Sequence, residues 1–204
     1  MIVSSNGGSK LPLHPTGAFA VRCVRIIDLG TQQGEFKGKP KVARKVRFVW
    51  ESPEKMGDDA GELAGKPYLI SQDFTASLSD RAALRAALEG WRGRPFTPQE
   101  LEGFDLKNVL GKACLVNLIH AESKGNTYCN IKSIMPLPAG MTCHTAVTEQ
   151  IYFSLDDFSQ AVFDKLSDRL KETIAKSPEF TAVTKGAPAQ TKSGGDFPDD
   201  DIPF

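Results

Sequence analysis

The sequence predicts a mainly β protein with helices, an α+β chain in which two β-hairpins flank a lone strand and a helical segment. Three observations carry this. Residues 19–50 hold two alternating apolar/polar runs joined by a Gly-rich stretch. Residues 112–135 repeat that pattern around Ser123-Lys124-Gly125-Asn126. Between them, residues 80–91 are rich in Ala, Leu and Arg at helical spacing. At 204 residues, 40% hydrophobic and 25% charged, the chain is long enough for one core plus appendages.

Residues 1–17, with Asn6-Gly7-Gly8-Ser9 and two prolines, read as a mobile arm. In the first strand, Phe19 to Leu29, the residues Phe19, Val21, Cys23, Ile27 and Leu29 alternate onto one face, and Arg25 is the exception. Gly30 to Pro40 is a turn-rich connection. Lys41 to Trp50 is the second strand, with Val42, Val46, Phe48 and Trp50 on one face and Lys45 and Arg47 on the other. Ser52 to Gly65 is an acidic loop, and Lys66 to Leu78 the third strand. Asp80 to Trp91 is a helix capped by Ser79, with Leu84, Leu88 and Trp91 on one face and Gly90 or Gly93 at its end. Thr97-Pro98-Gln99-Glu100 opens a second, short helix through a capping box with Pro at the first position. In the closing hairpin Cys129, Ile131 and Ser133 face one way, and Tyr128, Asn130 and Lys132 the other. Ser154 to Ser177 reads as one long helix capped by Ser154, with Leu155, Phe158, Val162, Leu166, Leu170 and Ile174 as its apolar stripe and Pro178 as its stop. That stripe either covers the core of the body, the favoured reading, or pairs with a second copy.

Five strands with a helix between the third and fourth is the usual order of an OB-fold barrel. The expected organisation is an arm (1–17), an OB-fold nucleic-acid-binding domain (18–150) with a helical insertion (79–110), an amphipathic helix (151–182), a linker (183–195) and an acidic tail (196–204). Lys185 to Gly195 has no periodic apolar face and too little apolar area to offset its ordering entropy. The tail, Asp196, Phe197, Pro198, Asp199, Asp200, Asp201, Ile202, Pro203 and Phe204, joins four carboxylates to an apolar tip. Two prolines keep it extended, which lowers the entropy lost on capture. A pocket can read the Phe204 ring together with its carboxylate.

Asp199-Asp200-Asp201-Ile202-Pro203-Phe204 resembles the C-terminal tip of bacterial single-stranded DNA-binding proteins. The resemblance covers about nine residues. It implies an OB domain that binds single strands, a flexible linker, and a tip that recruits replication, recombination and repair enzymes. The body is more similar to OB-type single-stranded DNA-binding proteins of phages, most of all over Val42 to Glu51, with Arg44-Lys45-Val46-Arg47 and Trp50-Glu51. The helical insertion and the 154–177 segment have no counterpart in the bacterial family.

A non-selective single-strand binder needs a basic groove for phosphates and aromatic platforms for bases. The candidates are Phe36, Lys37, Lys39, Lys41, Lys45, Arg47 and Trp50 on the first hairpin, and Lys124, Tyr128 and Lys132 on the second. Lys37 and Lys39 are placed to wrap the strand. Phe48 shares a face with Val42 and Val46, which favours core packing; Trp50 fits either role; Trp91 belongs with Leu84 and Leu88. Tyr128 and Phe36 are expected to be exposed, and Arg44 to be an edge residue or an ion-pair partner. The formal net charge of zero conceals an asymmetry: Lys192 against the four tail aspartates gives residues 192–204 a net of −3, so the rest of the chain carries +3.

Other chemistries lack a signature. Cys23, Cys114, Cys129 and Cys143 have no CxxC spacing, Cys143-His144 offers no zinc pattern, and Gly34 to Pro40 is not a phosphate loop. No metal, cofactor or catalytic residue is expected. Residues 1–16 carry no apolar signal core, and no apolar run approaches 18 residues, so the expected setting is a bacterial cytoplasm with reduced thiols, possibly as a phage protein. The reading is a non-enzymatic, sequence-nonspecific single-stranded DNA-binding protein, alone or as a homo-oligomer, that protects its strand and recruits partners through the tip. The alternative is an adaptor or decoy that occupies pockets for such tips without binding DNA.

Overall fold

The computed structural model describes residues 12–36, 38–123 and 125–185, with only the backbone of residues 35, 36 and 39. The strands are Gly17–Phe36 (β1), Lys39–Lys55 (β2), Pro67–Thr75 (β3), Ala113–Ser123 (β4), Asn126–Met135 (β5) and Ile151–Phe153 (β6). The helices are Ala83–Arg92 (α1), Pro98–Glu102 (α2), Gln160–Asp164 (α3), Asp168–Ala175 (α4) and Pro178–Lys185 (α5). The result is a mixed α/β fold around one sheet of order β3-β2-β1-β4-β5, antiparallel at every step of that path, with β6 added parallel to β1. The sheet is not closed. Its edges β3 and β5 point the same way, and α1 packs against both. Gly90 makes the close approach to β5, where a Cβ would meet the Ile134 carbonyl at 2.7 Å.

The first hairpin extends further than the sequence suggests. Pairing continues to Phe36 opposite Lys39, so most of the Gly-rich connection is ribbon rather than loop. Val42 lies on this protruding ribbon and is exposed, not core as expected. Two register shifts matter more. The one between Cys23 and Arg25 inserts a residue, which turns the side chains from Arg25 to Asp28 to the opposite face before the second shift restores the alternation. Phe19, Val21 and Cys23 therefore face the main core, whereas Ile27 and Leu29, expected beside them, face a second one. The shift between Asp28 and Gly30 places Gly30 at φ 68°, and a Cβ there would meet Ser177 at 2.4 Å.

The main core is aromatic. Phe48 stacks on Trp50 with ring centroids 5.7 Å apart, and Trp91 from α1 packs on both. Trp91 also donates its indole N–H to the Ala113 carbonyl at 2.8 Å. The helix face of Leu84, Leu88 and Trp91 is buried as expected, but α1 starts after Ala82 without a side-chain cap, so Ser79 does not cap it. Thr97 and Glu100 do form the expected capping box of α2.

The single helix expected over 154–177 is instead two short helices, α3 and α4, preceded by β6. Ser154 accepts from the Asp156 N–H in a local turn rather than capping a helix. Ser167, extended at ψ 152°, breaks the run before α4. Pro178 opens α5 instead of ending a helix, since its missing N–H is not needed in the first turn. The stripe itself is real. Leu155, Leu166, Leu170 and Ile174 are buried, joined by Phe153 and Phe163, and together they cover Ile27 and Leu29 on the back of β1. Among the described residues no helix is long and apolar enough to cross a membrane.

Candidate nucleic-acid interface

Residues paired directly across antiparallel strands share a face. On the side of β1–β2–β3 turned away from the aromatic core, the rows are Arg22–Glu51–Leu69, Arg25–Val49–Ser71, Ile27–Arg47–Asp73 and Gly30–Lys45–Thr75. This face carries the side chains that the aromatic core does not use, and it concentrates cations. Arg47 is held by Asp73 at 2.5 and 2.8 Å, and the Lys45 ammonium donates to Thr75 Oγ1 at 3.0 Å. Arg25 differs: among the described residues its buried Nε has no hydrogen-bond partner.

This face leads into a cleft of about 790 Å³ bounded by β3, β5, residues 12–14 and residues 147–148. Tyr128, Leu69, Leu13 and Val147 are exposed apolar or aromatic groups on its walls, and Arg25 and Lys66 are its cations. His14 anchors the N-terminal wall. Its Nδ1 donates to the Pro15 carbonyl at 2.7 Å, its Nε2 is bonded to Ser52 Oγ at 2.6 Å, and its ring meets Tyr68 edge-on. Burial holds the His14 imidazole below its ordinary value, so it is neutral at pH 7. Burial, with lesser contributions from Asp59 and Glu54, raises the Tyr68 phenol.

The opposite wall is a strap over 143–148 tied to the sheet. Arg22 donates to the carbonyls of His144 (3.0 Å) and Gly111 (2.8 Å). Glu51, only 1% exposed, accepts from the N–H groups of Thr148 (2.7 Å) and Val147 (3.0 Å), and His144 Nε2 lies 3.1 Å away. Burial alone raises the Glu51 carboxyl, but the hydrogen bonds from Thr148, Val147 and His144 outweigh it and hold it below the usual range. Cys143 Sγ sits 3.6 Å from His144 Nδ1, completing a thiol–imidazole–carboxylate line. Burial is the main influence on that thiol, and although Arg22 opposes it, the thiol is raised. An activated thiolate has its thiol lowered rather than raised, and the hydrogen bonds of His144, Val147 and Thr148 to Glu51 tie the strap to β2. Among the described residues no group of three or more His, Cys, Asp or Glu side chains is placed to hold a metal.

The expected site residues divide clearly. Tyr128 is 48% exposed on the cleft wall, and Lys132 is exposed at a register shift of β5, where it lines a smaller cleft. Lys45 and Arg47 lie on the basic face, and Lys41 is exposed on the ribbon. Trp50 is a correction: at 1% exposure it fills the main core opposite Cys23 and Ile70, so it is not a stacking platform. Phe48 is likewise core. Arg44 is an ion-pair partner, holding Asp28 and Asp156. Lys37, Lys124 and the tail 196–204 lie outside the described residues, as do the side chains of Phe36 and Lys39. Sequence reasoning passed over Tyr68, Leu69, His14 and the strap, which carry no local signal. Arg25 did carry one, as the exception on the apolar face of the first strand.

Comparison with known proteins yields no match to a protein-family model and none to a curated protein sequence.

Proposed function

We propose that the chain is a non-catalytic, sequence-nonspecific single-stranded DNA-binding protein of the OB type. The observation that carries this reading is the basic face of β1–β2–β3, with Arg25, Arg47 and Lys45 in successive rows, opening onto a cleft walled by Tyr128. Cations beside an exposed aromatic suit a strand with one phosphate per nucleotide and open base faces. The OB assignment is supported by the strand order β3-β2-β1-β4-β5, by a helix between the third and fourth strands, and by edges that run parallel across the remaining gap. In this reading the tail Asp196 to Phe204 recruits replication, recombination or repair enzymes, as its resemblance to the bacterial tip implies.

The test is fluorescence anisotropy of a labelled thymidine oligomer with the full chain and with residues 1–195, across a salt series. Binding by both that weakens with salt supports a DNA-binding body with a recruiting tail. Absence of binding by both refutes it and leaves the adaptor reading. Tighter binding by the shortened chain at low salt would mean that the tail competes for the basic face.

A further inference from the structure

Arg25 is anomalous three times over. It falls on the face where the first strand's apolar residues alternate, it follows a register shift that turns it to the basic face, and its Nε–H is buried without an acceptor among the described residues. The neighbouring arginines of the sheet are satisfied: Arg22 by carbonyls, Arg44 by Asp28 and Asp156, Arg47 by Asp73. A buried donor left unpaired costs free energy unless a ligand completes it. The cleft that Arg25 lines says what kind of ligand. Its walls include Leu69, Val147 and the Tyr128 ring, which suit a flat aromatic group and would strip water from a phosphate. Asp59 and Glu54, whose charge reaches Tyr68, add a potential that disfavours an anion at that end.

We infer that Arg25 reads one base of the bound strand, and that its subsite takes bases presenting two adjacent acceptors, cytosine and guanine. The inference rests on the single-strand-binding reading above. A guanidinium offers its Nε–H and one Nη–H as a parallel fork. Guanine matches the fork through O6 and N7. Cytosine matches it through O2 and N3, which are free on the Watson–Crick edge of an unpaired strand. Thymine and adenine do not, because each of their acceptors on that edge adjoins an N–H donor that would oppose the second arm. The preference acts at one nucleotide and is superimposed on otherwise nonspecific binding.

The experiment is anisotropy at pH 8 with labelled cytidine and thymidine DNA oligomers of equal length, using the full chain and its Arg25→Lys and Arg25→Met variants. Any difference in self-stacking between the two strands is the same for the unaltered chain and its variants, so the change in preference on substituting Arg25 isolates the base edge. The expected result is tighter binding of the cytidine strand by roughly tenfold, the scale of one bidentate base contact. Both variants should lose that preference, and Arg25→Lys should bind the thymidine strand as the unaltered chain does. Equal affinity of the unaltered chain for both strands overturns the inference, as does a preference that survives Arg25→Lys. If Arg25→Met weakens both strands equally and Arg25→Lys restores both, Arg25 is a phosphate contact. In each of those cases the strand-binding reading stands. Only failure of the unaltered chain to bind either strand defeats that reading itself.

Discussion

Replacing Glu51 by Gln tests whether the strap is pinned by charge. The carboxylate takes Thr148 N–H on one oxygen, and Val147 N–H and His144 Nε2 on the other. A glutamine keeps one acceptor oxygen and turns an NH2 group toward the other donors. In the better orientation one buried N–H loses its acceptor, at about 1–3 kcal/mol, and the remaining bonds lose their charge assistance, about 1 kcal/mol each. Relief of the cost of burying a charge offsets part of this, which leaves a net loss of about 3 kcal/mol. For a chain of this size that lowers Tm by about 6–12 °C. The pH dependence fixes the cause. The folded carboxyl lies below its unfolded value, so its stabilisation is complete above the unfolded value of about 4.3 and is lost as pH falls through the lower folded value. Denaturant unfolding of both proteins should therefore show the full gap at pH 7 and a small one at pH 3. Equal stability at pH 7, or a gap unchanged at pH 3, would refute the argument.

Gly30→Ala should destabilise by more than about 1–2 kcal/mol, the cost of a left-handed residue with a Cβ, because the added carbon also meets Ser177 at 2.4 Å; urea unfolding reads it. Tyr128→Ala should weaken oligonucleotide binding by about 1–3 kcal/mol with little change in Tm, since the ring is half exposed. Loss of folding without loss of affinity would assign Tyr128 to packing. Cys23 is fully buried, and burial pushes its thiol up to about 12, so thiol reagents at pH 8 should modify it only after unfolding, with Cys114 behaving alike. A chain ending at Gln150 bares Ile27 and Leu29 on β1 and should aggregate or melt early; a stable monomer by light scattering would show the C-terminal segment to be dispensable for the core.

Local pattern carried much of this protein. Alternation separated Tyr128 and Asn130 from Cys129 and Ile131 because a strand repeats every second residue, but a register shift leaves Lys132 unpaired, so Ser133, expected beside Cys129 and Ile131, turns away and Ile134 packs on the core instead. The Thr97–Glu100 capping box and the Leu84, Leu88 and Trp91 face were equally legible, since each is closed within a few residues. The 154–177 stripe was read correctly as buried and wrongly as one helix. Apolar spacing records which side chains turn inward, whereas the breaks at Ser154 and Ser167 depend on what the chain packs against.

The sequence by itself determined the order of the first five strands along the chain, the inward face of Phe48 and Trp91, and the acidic tail. Tertiary structure alone decided which face the β1 residues occupy between Cys23 and Gly30, because each of two inserted residues reverses the alternation and no residue type announces it. It also decided that Trp50 is core and that Glu51 holds the strap. Both depend on partners brought together from distant parts of the chain, Trp91 and Ile70 for the one and residues 144–148 for the other. Arg25 stands between the two: visible as an anomaly in the sequence, it is set apart only by the fold, which lines a cleft with its side chain and buries its Nε–H without an acceptor among the described residues.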